Sequence, residues 1–400
     1  MPTIEELILR ERERQTHSIN LIASENFVSD YVKNTMGTVF TNKYAEGYPG
    51  KRWYGGCEFT DQVEQHAIDL AKELFQAEHA NVQPHSGTQA NLAAYLALIK
   101  PGDKVLAFKL EHGGHLSHGA PFNASGKYYK FVHYGVSRDT GLIDMDEYAA
   151  LLKEHGDIKL VVTGASSYPR AIDFARMAKL AREHGALFMA DVAHISGLVA
   201  AGEHQSPVPV ADVITMSTHK TIRGPRGGMI VCSGKYASKI DRGVFPGSQG
   251  GPLVHIIAAK AAMLEEALQP GFKQYIRQVI KNAQAMAKAF QQLDGKKYRV
   301  LTGGTDNHMV MVDISGTGKN GIQIERLLGE QGIHVNKNFI PYDPLPVTET
   351  SGIRVGSPLL TTLGANEADM ATVVQLIDKA IAGEQVTTQV QKFMQDLMAR

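Results

Sequence analysis

Leu187-Phe-Met-Ala-Asp-Val-Ala-His194 and Asp212-Val-Ile-Thr-Met-Ser-Thr-His-Lys-Thr221 decide how this chain is read. Each is a short apolar run that ends in polar residues, the pattern of a strand buried on both faces. Asp191 closes the first run and His219-Lys220 follows the second. In open α/β sheets ligands gather outside the carboxyl ends of the strands, so Asp191 and Lys220 are placed to serve one site. A lysine there can form a Schiff base with the aldehyde of pyridoxal 5′-phosphate. A carboxylate beside it can keep the pyridine nitrogen protonated, so that the ring accepts electrons.

Outward from these runs, strands and helices alternate between Ala80 and Val231. The strands expected are Val105–Phe108, Leu160–Thr163, Leu187–Ala190, Val213–Met216 and Met229–Cys232. Repeated β-α alternation implies an α/β fold with a mainly parallel mixed sheet flanked by helices. Asp173 and Gly185 punctuate a helix over Asp173–His184. Asp61, with Glu64 at capping-box spacing, predicts a helix start whose buried stripe is Val63, Ala67, Leu70, Ala71 and Leu74. Long helices between Pro252 and Leu293 lead to strands at Tyr298–Leu301, His308–Ile314, Ile333–Asn336 and Ile353–Gly356, with helices from Ile322 and Asn366. Three segments are therefore expected: an N-terminal helical arm with an irregular Gly/Tyr-rich stretch over 1–56, a large cofactor-binding domain over 57–270, and a smaller C-terminal α+β domain over 271–400.

Charge narrows the function classes. The 41 basic and 41 acidic residues leave no electrostatic footprint for nucleic acid or an anionic membrane. No stretch approaches membrane-spanning length, and the start, Met1-Pro-Thr-Ile-Glu-Glu, lacks the apolar core of a signal peptide. Cys57 and Cys232 are the only cysteines, which argues against a disulfide framework and for a reducing, cytoplasmic setting.

Four further motifs bear on chemistry. His85-Ser-Gly-Thr-Gln-Ala90 precedes an apolar helix expected over Asn91 to Ile99, so its backbone N–H groups and the helix dipole can cradle a phosphate. A merely capped helix would look the same, and Lys220 downstream tips the reading toward the cradle. His112-Gly-Gly-His-Leu-Ser-His118 lacks the cysteine or placed acid of a zinc set, and no metal is assigned. His115 is read instead as a ring that stacks on the pyridine, with His112 and His118 as satisfied surface histidines. Gly316-Thr-Gly-Lys-Asn-Gly321 matches G-x-G-x-x-G but leaves too little chain for a dinucleotide fold, and is read as a connecting loop. Arg354 sits mid-strand among apolar neighbours. Either a substrate carboxylate or a structural ion pair would satisfy its planar fork.

Together these segments resemble the serine hydroxymethyltransferase family, pyridoxal phosphate enzymes of the aspartate aminotransferase fold type. The resemblance runs from Leu21-Ile-Ala-Ser-Glu-Asn26 to Ser351-Gly-Ile-Arg-Val-Gly356. Between them stand Asn42-Lys-Tyr-Ala-Glu-Gly-Tyr-Pro-Gly-Lys-Arg52, Asn81-Val-Gln-Pro-His-Ser-Gly87, Thr218-His-Lys-Thr221, Gly224-Pro-Arg-Gly-Gly228 and Gln249-Gly-Gly-Pro252. It implies reversible transfer of the serine hydroxymethyl carbon to tetrahydrofolate, giving glycine, with the cofactor covalent at Lys220. Asp191 would hold the pyridine nitrogen, His115 and Ala193 the two ring faces, and Ser166 and His194 the 3′-oxygen or substrate carboxylate. Ser86, Gly87, Thr88 and His219 would line the phosphate, and Ser24 and Arg354 would bind the amino-acid carboxylate. Tyr44, Glu46 and Tyr54, with Gly250 and Gly251, would arrive from the partner of a homodimer, Glu46 handling protons at the hydroxymethyl group. Trp53, Tyr54, Glu46, Leu110, Gly114, Leu116 and Asn338 would meet the folate.

The sequence departs from the family pattern at Trp53, in place of a tyrosine, and at Thr348, in place of an aromatic. Two related readings accompany the resemblance: hydroxymethyl transfer from α-methylserine or to D-alanine, and a folate-independent aldolase or transaldolase. A non-catalytic scaffold would not need Lys220, Asp191, His115 and Arg354 all intact.

Overall fold

In the computed structural model, which describes residues 1–400, the expected alternation closes into a seven-stranded sheet. Its spatial order is His79–Asn81, Gly228–Cys232, Val213–Ser217, Leu187–Asp191, Ile158–Gly164, Lys104–Phe108 and Lys130–Tyr134. The five strands from Val213–Ser217 to Lys130–Tyr134 pair in parallel. Gly228–Cys232 runs antiparallel to both of its neighbours. The chain has only residues 218–227 in which to return from the preceding strand, too few for a helical crossover. Leu160, Val161, Val162, Phe188, Met189, Ala190, Ile214, Met216 and Ile230 are buried, which is why these strands read as unbroken apolar runs.

The five expected strands lie within observed ones. The two edge strands were not foreseen, because Lys-Phe-Val-His-Tyr and His-Ala-Asn carry no such run. Edge strands face solvent on one side and tolerate polar residues.

Helix boundaries moved where side chains had other work. The helix predicted from Asp61 begins at Glu58 and runs to Phe75. Asp61 does not cap it: the carboxylate accepts from Arg52 Nε and from the Gly50 amide, both at 2.8 Å. Glu64 turns inward instead of closing a capping box. It accepts from Arg52 Nη2 at 2.6 Å and Gln83 Nε2 at 2.7 Å. Burial raises its pKa, with Arg52 opposing. The apolar helix expected from Asn91 begins at Gly87, with Ser86 Oγ accepting from the Gln89 amide as its cap. The helix Phe174–Glu183 is as punctuated: Asp173 accepts from the Arg176 amide and Gly185 has φ +74°.

This sheet and its helices form one unit, Asn26–Ile276; the other joins Met1–Glu25 to Arg277–Arg400. The second unit carries a four-stranded antiparallel sheet in the order Arg299–Val300, Met309–Asp313, Gly352–Gly356 and Asn336–Asn338. The expected 1–56 segment is divided between the units. Ile19–Asn20 pairs with Ile333–His334, and the Gly356 amide donates to the Leu21 carbonyl, tying the N-terminus to the C-terminal sheet. Within Gly316–Gly321, Gly318 has φ +74° and Asn320 caps the helix Gly321–Glu330, so the segment is a connecting loop.

Two substitutions test this description. Phe188→Ala, in the central sheet, should cost about 3–5 kcal/mol, and Asp173→Ala, at an exposed cap, about 1 kcal/mol. Denaturant midpoints falling in the opposite order would contradict the burial of Phe188.

Candidate active site

Asp191 and Thr215 are register partners on adjacent parallel strands, and Lys220 follows three residues after the second strand ends. The lysine's main chain is held from several sides. The Lys220 carbonyl accepts from Asn26 Nδ2 at 3.0 Å and from the Arg223 amide at 3.1 Å. Arg223 has φ +58°, and its guanidinium lies over the Tyr275 ring at 4.0 Å. Asn26 also donates to Tyr275 Oη at 2.8 Å. A tight turn thus presents Lys220, which is 9% exposed.

Asp191 is buried among donors. Its Oδ2 receives Asn91 Nδ2 at 2.8 Å and His118 Nε2 at 3.0 Å, and its Oδ1 receives the Ala193 amide at 2.9 Å. Burial alone would raise its pKa. The hydrogen bond and charge of His118, with His115 and Asn91, outweigh burial and hold the carboxyl well below the usual carboxylate range.

The expectation of surface positions for His112 and His118 is overturned: they are 6% and 2% exposed. His112 Nδ1 accepts the Val136 amide, and His118 is committed to Asp191. The histidines do not gather with an acid or cysteine into a ligand set. His115 Nδ1 accepts the Ser117 amide at 3.2 Å and lies 2.7 Å from Ser117 Oγ, which in turn accepts from Asn91 Nδ2. That chain of bonds assigns the ring proton to Nε2. Burial, reinforced by His118, brings the His115 pKa to about 4, so the ring is neutral and free to stack.

The cradle is built by close backbone approach. A Cβ on Gly87 would come within 2.7 Å of Ser217 Oγ, and one on Gly228 would run into the Ser86 carbonyl. The first turn of Gly87–Leu98, including Thr88, offers helix N–H groups beyond the one that Ser86 takes. His219 Nδ1 accepts the Gly227 amide at 3.4 Å, and burial, then Arg226 and Lys220, pushes its pKa down to about 3. Ser166 donates its amide to the Gly113 carbonyl at 2.7 Å. Gly113, at φ +117°, has no room for a side chain against Ser167. His194 is buried, its carbonyl accepting from Thr221 Oγ1. An anion cradle, a buried ionised carboxylate, a neutral ring and a buried lysine form a donor set that fits pyridoxal phosphate.

A second group gathers apart from these. The Tyr44 and Tyr54 rings meet edge to face at 4.9 Å, and Tyr44 Oη donates to Glu46 Oε1 at 3.3 Å. A Cβ on Gly250 would sit 3.2 Å from Glu46 Oε1, and one on Gly251 would sit 3.0 Å from the Tyr44 ring. Glu46, Trp53 and the Phe245–Gly250 stretch line an open depression of about 580 Å³. No hydrogen bond joins Tyr44, Glu46 or Tyr54 to Asp191 or His115. Leu110 opens a short 3-10 turn, Gly114 is buried and Leu116 is 44% exposed.

Ser24, Asn338 and Arg354 belong to the other unit. Arg354, 8% exposed, lies between Met311 and Asn336 in register and donates from Nη2 to Asn336 Oδ1 at 2.7 Å. Burial lowers its pKa to about 10. Asn338 donates to the Phe339 carbonyl, Ser24 is half-buried and Thr348 is exposed.

Sequence reasoning read His118 as a surface residue and gave no role to Asn91, Ser117 and Asn26. Asn91 did leave a signal, as a polar residue opening the apolar run Asn-Leu-Ala-Ala-Tyr-Leu-Ala-Leu.

The family model for serine hydroxymethyltransferase matches residues 1–377. The serine hydroxymethyltransferase of Coprothermobacter proteolyticus is 53% identical over 401 residues, covering 100% of this chain and 96% of the relative. That of Koribacter versatilis is 55% identical over 372 residues, 93% of this chain and 86% of the relative. No helix is long and apolar enough to cross a membrane.

Because the folded pKa of Asp191 is depressed, its stabilising contribution is complete above the unfolded value and lost as pH falls. The stability difference between wild type and Asp191→Asn should stay level from pH 8 to about 5. Below about pH 3.9 it should shrink by about 1.4 kcal/mol per pH unit. Unfolding free energies measured across that range check the slope, and a difference that grew on acidification would reverse the sign.

Proposed function

The chain belongs to the serine hydroxymethyltransferase family, and on that premise we propose that it moves a hydroxymethyl carbon reversibly between serine and tetrahydrofolate. In the forward direction this gives glycine and 5,10-methylenetetrahydrofolate. The observation that carries the reading is the buried, triply hydrogen-bonded Asp191, one strand away from Lys220. The family uses pyridoxal phosphate and tetrahydrofolate. When bound, pyridoxal phosphate supplies an aldehyde for an amine and a ring that accepts the electron pair left when a bond to the amino-acid α-carbon breaks.

The residues of the chain would divide the remaining tasks. Lys220 would hold the cofactor covalently. Ser86, Gly87, Thr88 and His219 would hold its phosphate, at a helix end that favours anions. Asp191 would keep a proton on the ring nitrogen, a role supported by its own resistance to protonation. His115 would lie against one ring face and Ala193 against the other, with Ser166 and His194 at the 3′-oxygen. Neutral His115 can stack without placing a second cation beside the nitrogen.

Glu46 and Tyr54 would move protons at the serine hydroxyl, and Tyr44, Gly250 and Gly251 would complete the cofactor site. That these act from a partner chain of a homodimer is supported by their clustering with one another rather than around Asp191, and by the exposure of Tyr44 and Tyr54, 54% and 47%. Ser24 and Arg354 would take the substrate carboxylate; a buried planar guanidinium suits it. Trp53, Leu110, Gly114, Leu116 and Asn338 would meet the folate.

Lys220→Ala should abolish multiple-turnover transfer and remove the cofactor-derived visible absorbance. Borohydride fixation and peptide mapping check the attachment point, and a cofactor-labelled peptide persisting in the variant would place it elsewhere. Mixing Lys220→Ala with Tyr54→Ala subunits should regenerate one sound site per mixed dimer. No recovery after proven subunit exchange would count against the two-chain arrangement.

The folate end depends on Thr348, where an aromatic contact is missing. One lost stacking contact costs about 0.5–1.5 kcal/mol, so Thr348→Phe should lower the tetrahydrofolate concentration needed for half-maximal serine turnover. Assays with serine, α-methylserine and allo-threonine, with and without tetrahydrofolate, complete the test. Cleavage of allo-threonine alongside serine turnover indifferent to tetrahydrofolate would replace the transferase reading with an aldolase.

A further inference from the structure

Lys260 lies in the middle of the helix Val254–Ala267 and is 1% exposed. Nothing in the proposed chemistry uses it, and a buried ammonium is costly unless its protons are satisfied. No carboxylate pairs with it. Its Nζ donates to three main-chain carbonyls: Val82 at 2.6 Å, Gly228 at 2.7 Å and Pro84 at 3.0 Å. Three acceptors match the three donors of an ammonium, whereas a neutral amine has only two. Burial pulls the pKa down to about 7, with Glu64 opposing. The three carbonyls take all three protons of the charged form.

Those carbonyls bracket the cradle. Val82 and Pro84 lead into Ser86, the cap of Gly87–Leu98, and Gly228 begins the strand that packs on Ser86. The Gly228 amide donates to the Pro84 carbonyl at 3.0 Å, so that one oxygen joins helix, lead-in and strand. A Cβ on Gly227 would come within 2.7 Å of Lys260 Cε, so the glycine leaves room for the lysine stem. Its charge also reaches along the site. Burial first, then the Lys260 charge, lowers the pKa of His85, and the same charge adds to the larger effects that depress His219.

We propose that Lys260 is a positioning residue for the cofactor phosphate. It locks the Val82–Pro84 lead-in against Gly228 so that the helix end faces the anion, and its charged form places a positive charge behind that cradle. The inference rests on the reading of Ser86–Thr88 as the phosphate site. It is separable from that reading because pyridoxal lacks the phosphate that Lys260 serves.

The full-length chain, stripped of cofactor, is titrated with pyridoxal 5′-phosphate, with pyridoxal and with inorganic phosphate, as wild type and as Lys260→Met. Circular dichroism and thermal melting monitor the fold. Lys260→Gln, which retains two donors but no charge, carries the same comparison should the methionine variant not fold. The expected result is a loss of affinity for pyridoxal phosphate and for inorganic phosphate of about tenfold or more, with pyridoxal changed by less than about threefold. Equal losses for pyridoxal and its phosphate would make Lys260 merely structural and overturn the proposal, as would unchanged affinities in the folded variants. Wild-type protein that bound neither pyridoxal nor its phosphate would overturn both this inference and the cofactor reading beneath it.

Discussion

The larger unit is organised around keeping Asp191 charged while buried. Removing a carboxylate from water costs several kcal/mol unless donors replace the solvent. Here the donors come from three places far apart in sequence: Asn91 on a helix, His118 in a loop and the amide of Ala193. Asn91 aims its amide nitrogen at Asp191 and Ser117 while its oxygen accepts from Thr215 on the neighbouring strand. Helix, loop and both strands are therefore fixed to one another through a single side chain. A one-residue slip of Leu187–Asp191 would turn the carboxylate to the other face of the sheet and strand all of its donors. Register and chemistry are the same constraint at this position.

The second organising fact is that burial neutralises His115 and His219 while Asp191 stays ionised. His115 and His219 are drained of charge by desolvation and by neighbouring cations. They act as flat rings and acceptors, and the groups that chiefly hold Asp191 ionised are His118 and Asn91. Histidine near its ordinary pKa would make the local charge vary across the neutral range. Burial removes that variation at His115 and His219.

Legibility in the sequence followed the physics. Strands buried on both faces announce themselves as apolar runs, so the centre of the sheet and the Asp191–Lys220 relation could be read directly. The edge strands could not: Lys130–Tyr134 is largely part-exposed, and His79–Asn81 is only three residues long with a polar residue at each end. Asp61 and Glu64 showed the spacing of a capping box but are spent on Arg52, because a buried guanidinium is a stronger claimant than a backbone amide. His118 was misread and Lys260 went unnoticed for a related reason. Polar residues in the middle of a sequence segment look like surface until the fold shows what surrounds them. The N-terminal 25 residues were assigned to an arm because local pattern carries no information about pairing with a strand some 300 residues away.

That Arg52 cluster also bears on the exposed aromatic group. Tyr44–Tyr54 contains only the two-residue strands Gly47–Tyr48 and Lys51–Arg52, too little hydrogen bonding to hold a hairpin in water. Arg52 compensates from behind. It donates to the Ala45 and Gly47 carbonyls as well as to Asp61 and Glu64, while Gln83 bonds both Gly47 and Glu64. The segment is thus rigid on its inner face and aromatic on its outer one, with Trp53 78% exposed. Rigid, exposed aromatic surface is expensive in a protein that works alone. Docked against another chain it loses little further conformational freedom on association, which is the condition under which buried area is converted efficiently into affinity. The ion pairs of Arg52 with Asp61 and Glu64 are the support that holds the segment bearing Tyr44, Glu46 and Tyr54 in fixed geometry.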